Sequence, residues 1–420
     1  MKRKSPFSPL TSHLSPLFLA FCLLLMAGVY TYYYVEYKPH FDGHKVVVCI
    51  PVYGQSLALG EEASLVTDLR RLKTDYGGRI VTERLDYDFG FFDNDLPKQC
   101  LKRLFRYYKR TFELSVYHMA ETLAGQLGED TLICIFPGGR GATPIADLGK
   151  GSGPYTRFLD DIKTASANAA GKGWDFYVPA ICWMQGESDI ADYPDTDYKE
   201  LLHKFCADIN NDIREITLQR EPVRIICYQT NAVSRGLDYD ASRFDCREME
   251  VPQAQMELIR DDSLFVGSGP TYPYSFAREL IHLDAMGQRR MGELEAESAL
   301  RIIRHEEPMP GLLPTVVSGE GCEISIGFSV PCPPLQFDTL EVRDPGFYGF
   351  SVVNSEGVNV ISRVAVEGSV VRIGCQEGVA GCRVRYGVNG ELMKSGRERG
   401  PRGCLRDSRG HWCYQWQADV

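Results

Sequence analysis

The sequence lacks an excess of positive charge: 46 Lys and Arg stand against 56 Asp and Glu, a formal net charge of −10. With no basic, aromatic-studded patch either, this argues against a nucleic-acid partner. No two of the 14 cysteines form a CxxC pair, so no zinc-ribbon or zinc-finger spacing is present. The glycine-rich stretch around 138–153 is not a phosphate loop. Gly149-Lys150 is followed by Gly151 rather than Ser or Thr, and Pro144 stands where the first glycine belongs. Long hydrophobic runs are missing, with one exception. Lys2, Arg3 and Lys4 precede an apolar stretch over 14–34 that ends in the tyrosine cluster Tyr30 to Tyr34. Basic flank followed by apolar segment is the order of a signal peptide or a signal anchor. No small-x-small cleavage site is evident near Ala27-Gly28, and bulky Phe21 disfavours lipidation at Cys22. The expectation is a basic tail (1–13), an uncleaved anchor (14–34) and a globular part outside the cytosol, or a secreted protein if the segment is cleaved. Disulfides can form there, and Cys322, Cys332, Cys375, Cys382, Cys404 and Cys413 allow up to three bridges of unknown pairing.

What the chain does have is a pattern repeated four times. Val-Val-Val-Cys-Ile (46–50) precedes Gly54-Gln55-Ser56, and Leu-Ile-Cys-Ile-Phe (132–136) precedes Gly138-Gly139-Arg140-Gly141. Ala-Ile-Cys-Trp-Met (180–184) precedes Gln185-Gly186-Glu187-Ser188-Asp189, and Ile-Ile-Cys-Tyr (225–228) precedes Gln229-Thr230-Asn231. Short apolar runs bounded by turn residues read as buried parallel strands. Between them, Val116, Ala120, Leu123 and Leu127 mark one helix face, and Phe158, Ile162, Ala165 and Ala169 another. The alternation predicts an α/β fold, a three-layer α/β/α domain with a mostly parallel sheet over 43–305. Pro308, Pro310 and Pro314 then mark a linker. Alternating runs such as Glu323-Ile324-Ser325-Ile326 predict a small β-rich domain over 313–420. Ligands in open α/β sheets sit at the carboxyl ends of the strands, so all four polar motifs are expected in one crevice.

Ser56 follows the first strand in Tyr53-Gly54-Gln55-Ser56, where glycine permits a tight turn. A serine so placed exposes its hydroxyl at the sheet edge; the same position also suits a helix N-cap. A serine nucleophile needs a base, and histidine is the usual one. Of the 8 histidines, only His282 falls in a short loop between a strand and a helix. Glu279, three residues earlier, is a candidate to orient the imidazole, or else a surface carboxylate. Gly141 and Gln185, with the N–H of Ser56, are candidate oxyanion donors. Tyr53 and Trp183 are aromatic candidates for substrate contact.

The set Gly54-Gln55-Ser56, Gly141-Ala142-Thr143, Trp183-Met184-Gln185-Gly186-Glu187-Ser188-Asp189 and Glu279-x-x-His282 resembles the SGNH-hydrolase superfamily. Within it the chain is similar to the sialate O-acetylesterase and acetylxylan esterase group, carbohydrate esterase family 6. The likeness covers most of 43–305 and not the C-terminal part. It implies a flavodoxin-like domain, Ser56 as nucleophile, His282 as base, Glu279 as orienting acid, and Ser56, Gly141 and Gln185 as oxyanion donors. Glu187 belongs to the matching motif as a supporting residue. The implied activity is hydrolysis of sugar O-acetyl esters without metal or organic cofactor. The implied partner is an acetylated carbohydrate, and the membrane is met only through the N-terminal segment. Three positions depart from the pattern: Leu57 replaces the usual Asn, Ala142 the second glycine, and Glu279 the usual Asp. If Glu279 does not reach, a Ser56–His282 dyad or Glu187 has to serve. A non-catalytic glycan-binding scaffold on the same fold, or a lipase, thioesterase or acyltransferase, are the alternatives.

Overall fold

The computed structural model describes residues 20–28, 43–82, 112–191, 196–231, 249–391 and 394–420. The chain separates into two compact units, 1–43 and 44–420. In the first, residues 20–28 form a helix. Among the described residues no helix is long and apolar enough to cross a membrane. The basic tail and the rest of the expected anchor over 14–34 lie outside the described residues.

In the second unit, β1 (Val46–Cys49) continues through Ile50-Pro51 into β2 (Val52–Gly54). There follow α1 (Leu69–Thr74), β3 (Ile80–Val81), α2 (Ser115–Gln126), β4 (Thr131–Cys134), β5 (Pro137–Gly139) and α3 (Gly153–Ala170). Then come β6 (Asp175–Tyr177), β7 (Ala180–Met184), α4 (Glu187–Ala191), α5 (Tyr198–Thr217), β8 (Arg224–Gln229), α6 (Glu250–Asp261), β9 (Phe265–Pro270) and α7 (Ala285–Ile303). All pairings among these strands are parallel. The ladder is continuous across the paired segments: Ile50 N–H donates to Cys134 O (2.9 Å), Val52 N–H to Phe136 O (3.0 Å) and Cys182 N–H to Pro51 O (2.9 Å). Pro51 and Pro179 lack the donor that the ladder needs, which splits the strands that carry them. The sheet order is therefore β3, β4/β5, β1/β2, β6/β7, β8, β9. The chain leaves the central β1/β2 first to one side and then to the other, which makes the end of β2 the switch point of the sheet.

Strand alternation divides the core into two faces. Val52, Cys182, Met184 and Ile226 pack with Met119 and Leu123 of α2 and Met291 and Ala299 of α7. On the opposite face Tyr53 stacks on Phe205 of α5 (centroids 5.5 Å apart), and Trp183 lies 4.5 Å from the same ring.

The C-terminal part is a β-sandwich. One sheet orders β10 (Leu313–Glu320), β11 (Glu323–Ser329), β15 (Val370–Cys375) and β14 (Ile361–Glu367). The other orders β13 (Phe350–Val353), β16 (Arg383–Tyr386) and β18 (Trp416–Asp419), and β12 (Gln336–Phe337) pairs separately with β17 (Leu405–Arg406). Ile324, Ile326, Val371 and Ile373 face Phe350, Val352, Val384 and Trp416 across a single core that also takes in Met256 and Tyr272 of the α/β layer. The sandwich covers the exposed edge of β9, as an open sheet edge requires. Tyr414 OH accepts the Gly269 N–H (2.9 Å), and a Cβ on Gly267 would stand 2.0 Å from that oxygen. Gln229 and Gln415 exchange two further bonds, 2.7 and 2.8 Å long. The six C-terminal cysteines for which bridges were expected are free thiols, with Cys404 and Cys413 fully buried as core residues.

Candidate active site

The turn after β2 is built on close backbone approach. A Cβ on Gly54 would lie 2.0 Å from the Met184 carbonyl oxygen, and one on Gly139 1.9 Å from the Gly54 oxygen. Gln55 N–H bonds to Met184 O (3.0 Å), so β2 ends directly against β7. Residues 56–62 then coil back, with the Ser56 carbonyl accepting the N–H of Leu59 (3.2 Å) and of Glu61 (3.0 Å). Leu57 faces the core, 1% exposed, and its carbonyl accepts Gln288 Nε2 of α7 (2.9 Å). The departure from Asn at this position is thus a packing residue.

His282 enters from the other side on an arch between β9 and α7. Asp284 caps α7, accepting from Gly287 N–H and from Ser275 Oγ (2.8 and 2.7 Å). Ala277 N–H bonds to His282 O (2.7 Å), and Phe276 bridges Leu283, closing the arch. The imidazole Nε2 lies 2.8 Å from Ser56 Oγ. Its Nδ1 lies 2.8 Å from Glu62 Oε2, and the other oxygen of Glu62 is held by Arg278 Nη2, also at 2.8 Å. Glu62 sits at φ 65°, a left-handed conformation at the end of the Ser56 turn. Carboxylate, imidazole and hydroxyl therefore stand in one hydrogen-bonded line. Such a line can take the serine proton and stabilise the imidazolium that forms.

The expected acid is elsewhere. Both imidazole nitrogens are occupied by Ser56 and Glu62, while Glu279 pairs with Arg399 (3.2 Å) and Lys394 (3.5 Å). Two left-handed residues in a row, Arg278 (φ 56°) and Glu279 (φ 55°), turn the Glu279 side chain away from the histidine. Glu187 does not take its place: its Oε1 accepts from Tyr228 OH and from Thr230 Oγ1 (2.7 Å), tying α4 to the end of β8. Sequence reasoning missed Glu62. Its one signal was indirect: the aspartate usual at position 279 had become a longer residue.

Gln185 is fully buried, and its amide nitrogen donates to Thr143 O (3.2 Å) and to Asp189 Oδ2, so both of its protons are engaged. It offers no free donor to an oxyanion in this arrangement. Burial pushes the Asp189 carboxyl up to about 6, against the bonds from Gln185 and Ile145 that lower it. Ser56 and Gly141, in contrast, have backbone N–H groups that meet no acceptor among the described residues. A Cβ on Gly141 would lie 2.6 Å from Glu61 Oε1, the far end of a flexible side chain that can give way. Tyr53 and Trp183 are not surface contacts. Both are 0% exposed, Tyr53 OH bonds to Leu148 O (2.8 Å) and Trp183 Nε1 to Tyr198 OH (3.2 Å), because each points to the α3/α5 face of the sheet.

Away from this line, Cys332, Asp407 and His411 place metal-competent atoms within 4.8 Å of one another. The Asp407 carboxylate is already saturated. It accepts from the N–H groups of Cys332, Arg409 and His411 and from His411 Nδ1 (2.7 Å), which makes it a loop anchor.

Residues 115–301 match the family model described as carbohydrate esterase, sialic acid-specific acetylesterase. The fold is similar to that of a carbohydrate acetylesterase from Xanthomonas citri, at 15% identity, with 90% of this chain and 81% of that one covered and a TM-score of 0.61. Looser likenesses, too loose to bear on the argument, are to a protein from Arabidopsis thaliana (15% identity, 61% and 98% covered, TM-score 0.42) and to NanS (14%, 63% and 100%, TM-score 0.43). A search of curated proteins finds no significant match.

Proposed function

We propose that this chain, whose residues 115–301 match the family model described as carbohydrate esterase, sialic acid-specific acetylesterase, is a carboxylic ester hydrolase that removes O-acetyl groups from sugars at Ser56. The observation that carries this reading is the unbroken line Ser56–His282–Glu62, with 2.8 Å at each link. Ser56 Oγ attacks the acetyl carbonyl as its proton passes to His282 Nε2. Glu62 holds the Nδ1 proton and balances the cation. The N–H groups of Ser56 and Gly141 receive the oxyanion. His282 returns the proton to the departing sugar hydroxyl. Water, deprotonated by the same histidine, then attacks the acetyl-serine and releases acetate. None of these steps calls on a metal or an organic cofactor.

The basic tail and apolar segment of the N-terminus support placing this activity outside the cytosol, on a membrane anchor; protease accessibility of the globular part on intact cells tests it. The catalytic reading is tested by acetate release from acetylated sugars and by fluorophosphonate labelling. Ser56→Ala should abolish both while the circular dichroism stays native. Wild-type protein that neither labels nor releases acetate is a scaffold on an esterase fold. Labelling with a preference for long-chain esters makes it a lipase-type enzyme.

A further inference from the structure

Glu279, displaced from the imidazole, is held by the C-terminal sandwich. Arg399 Nη1 reaches its carboxylate at 3.2 Å and Lys394 Nζ at 3.5 Å, and its carbonyl accepts the Ser395 N–H at 2.9 Å. Gly396 lies directly against the same arch: a Cβ there would stand 3.0 Å from the Tyr274 oxygen and 3.1 Å from the Phe276 ring. Residues 394–399 thus form a strap along the loop that carries His282. Arg399 is itself pre-oriented. Two of its nitrogens clamp both Glu391 oxygens, and Glu391 N–H donates to Arg399 O (2.7 Å), which leaves Nη1 for Glu279.

Stability does not explain this arrangement. The Arg399 and Glu279 side chains are 42% and 38% exposed, and a pair so open to solvent adds little to folding. What the strap fixes is backbone shape. Consecutive non-glycine residues at positive φ persist only where their surroundings over-determine them. Arg278 and Glu279 are such a pair, and both functional contacts depend on it. Arg278 pins Glu62, and His282 follows three residues after Glu279.

We propose that Arg399 is a positioning residue of the esterase site: through Glu279 it holds the 276–283 arch so that His282 meets Ser56 and Arg278 meets Glu62. The sandwich is on this view part of the active site's framework. The proposal rests on the Ser56 reading, so the test begins with fluorophosphonate labelling of the wild type. If the wild type is inert, that reading fails and this one with it, before any variant is compared.

With an active wild type, Arg399→Ala and Arg399→Lys are measured for steady-state hydrolysis of p-nitrophenyl acetate and for amide exchange in 276–283. A displacement of about 1 Å at a catalytic group costs up to about 10²-fold. The expected result for Arg399→Ala is a fall in kcat of about 10- to 100-fold, KM within about twofold, and faster exchange confined to the arch. Arg399→Lys keeps the charge but not the Glu391 clamp, and restores only part of both. Glu279→Gln approaches the same contact from the other partner and should be non-additive with Arg399→Ala. A wild-type kcat in Arg399→Ala overturns the proposal, whether or not exchange rises. So does a lost kcat with unchanged exchange, or full additivity of the two substitutions.

Discussion

Replacing Glu62 by Gln tests the assignment of the orienting acid most sharply, because the structure dictates how the new amide must lie. One carboxylate oxygen of Glu62 accepts from Arg278, and the other faces His282 Nδ1. A glutamine at 62 must keep its oxygen toward Arg278, which has only protons to offer. Its NH2 then points at Nδ1 and forces the imidazole proton onto Nε2. That nitrogen would donate to Ser56 Oγ instead of accepting from it, and the serine would lose its base. In serine proteases the corresponding loss of the correct tautomer costs about 10⁴-fold. Glu62 is part-exposed, so water can rescue some of the geometry, and a loss of about 10³- to 10⁴-fold in kcat/KM is expected. At about 1.36 kcal/mol per decade this is roughly 4–5 kcal/mol of transition-state stabilisation. The assay is p-nitrophenyl acetate hydrolysis with the rate of fluorophosphonate labelling measured in parallel. The argument makes a second demand. Adding Arg278→Ala frees the amide to turn over, so the double variant should recover part of the lost rate. A Glu62→Gln enzyme within tenfold of wild type, or a double variant slower than the single one, would falsify the tautomer argument.

Two further outcomes concern pH and stability. Glu295 is buried on the inner face of α7; burial pushes its carboxyl up to about 8, against the smaller lowering influence of Ser115 and Cys182. Because the folded state holds that proton more tightly than the unfolded chain, stability should fall by up to about 1.4 kcal/mol per pH unit from about pH 4.5 to about 8 and level off above. Glu295→Gln should flatten Tm across that window, and an unchanged slope refutes it. His411 bridges Asp407 (2.7 Å) and Glu297 of α7 (3.0 Å). Burial alone would lower its pKa, but those two hydrogen bonds outweigh it and raise the value to about 9. Its contribution is complete below about pH 6.5 and is lost as pH rises through about 9. His411→Gln should therefore lower Tm at pH 6 and converge on wild type near pH 10, as thermal melts at the two values will tell.

Residues 46–50, 132–136, 180–184 and 225–228 were legible as buried strands because short-range composition alone makes a strand with two covered faces. With them came the three-layer fold, the convergence of the strand-end motifs, and the approach of His282 to Ser56. Tyr53 and Trp183 were misplaced because strand alternation says that neighbours face opposite ways but not which face carries helices. Here α3 and α5 bury both rings. The motif alone leaves Gln185 a candidate oxyanion donor, because no local signal announces that Asp189 and Thr143 take both of its protons. Glu62 was invisible for a related reason: it reaches an imidazole 220 positions away. The chain's own chemistry thus determined which groups are capable of reaction and near which strand ends they lie, since both follow from residue type and local period. Which carboxylate, Glu62 or Glu279, meets the histidine was decided only when the arch and the C-terminal strap closed on each other. Side-chain direction over a loop is set by long-range contacts that no window of sequence contains.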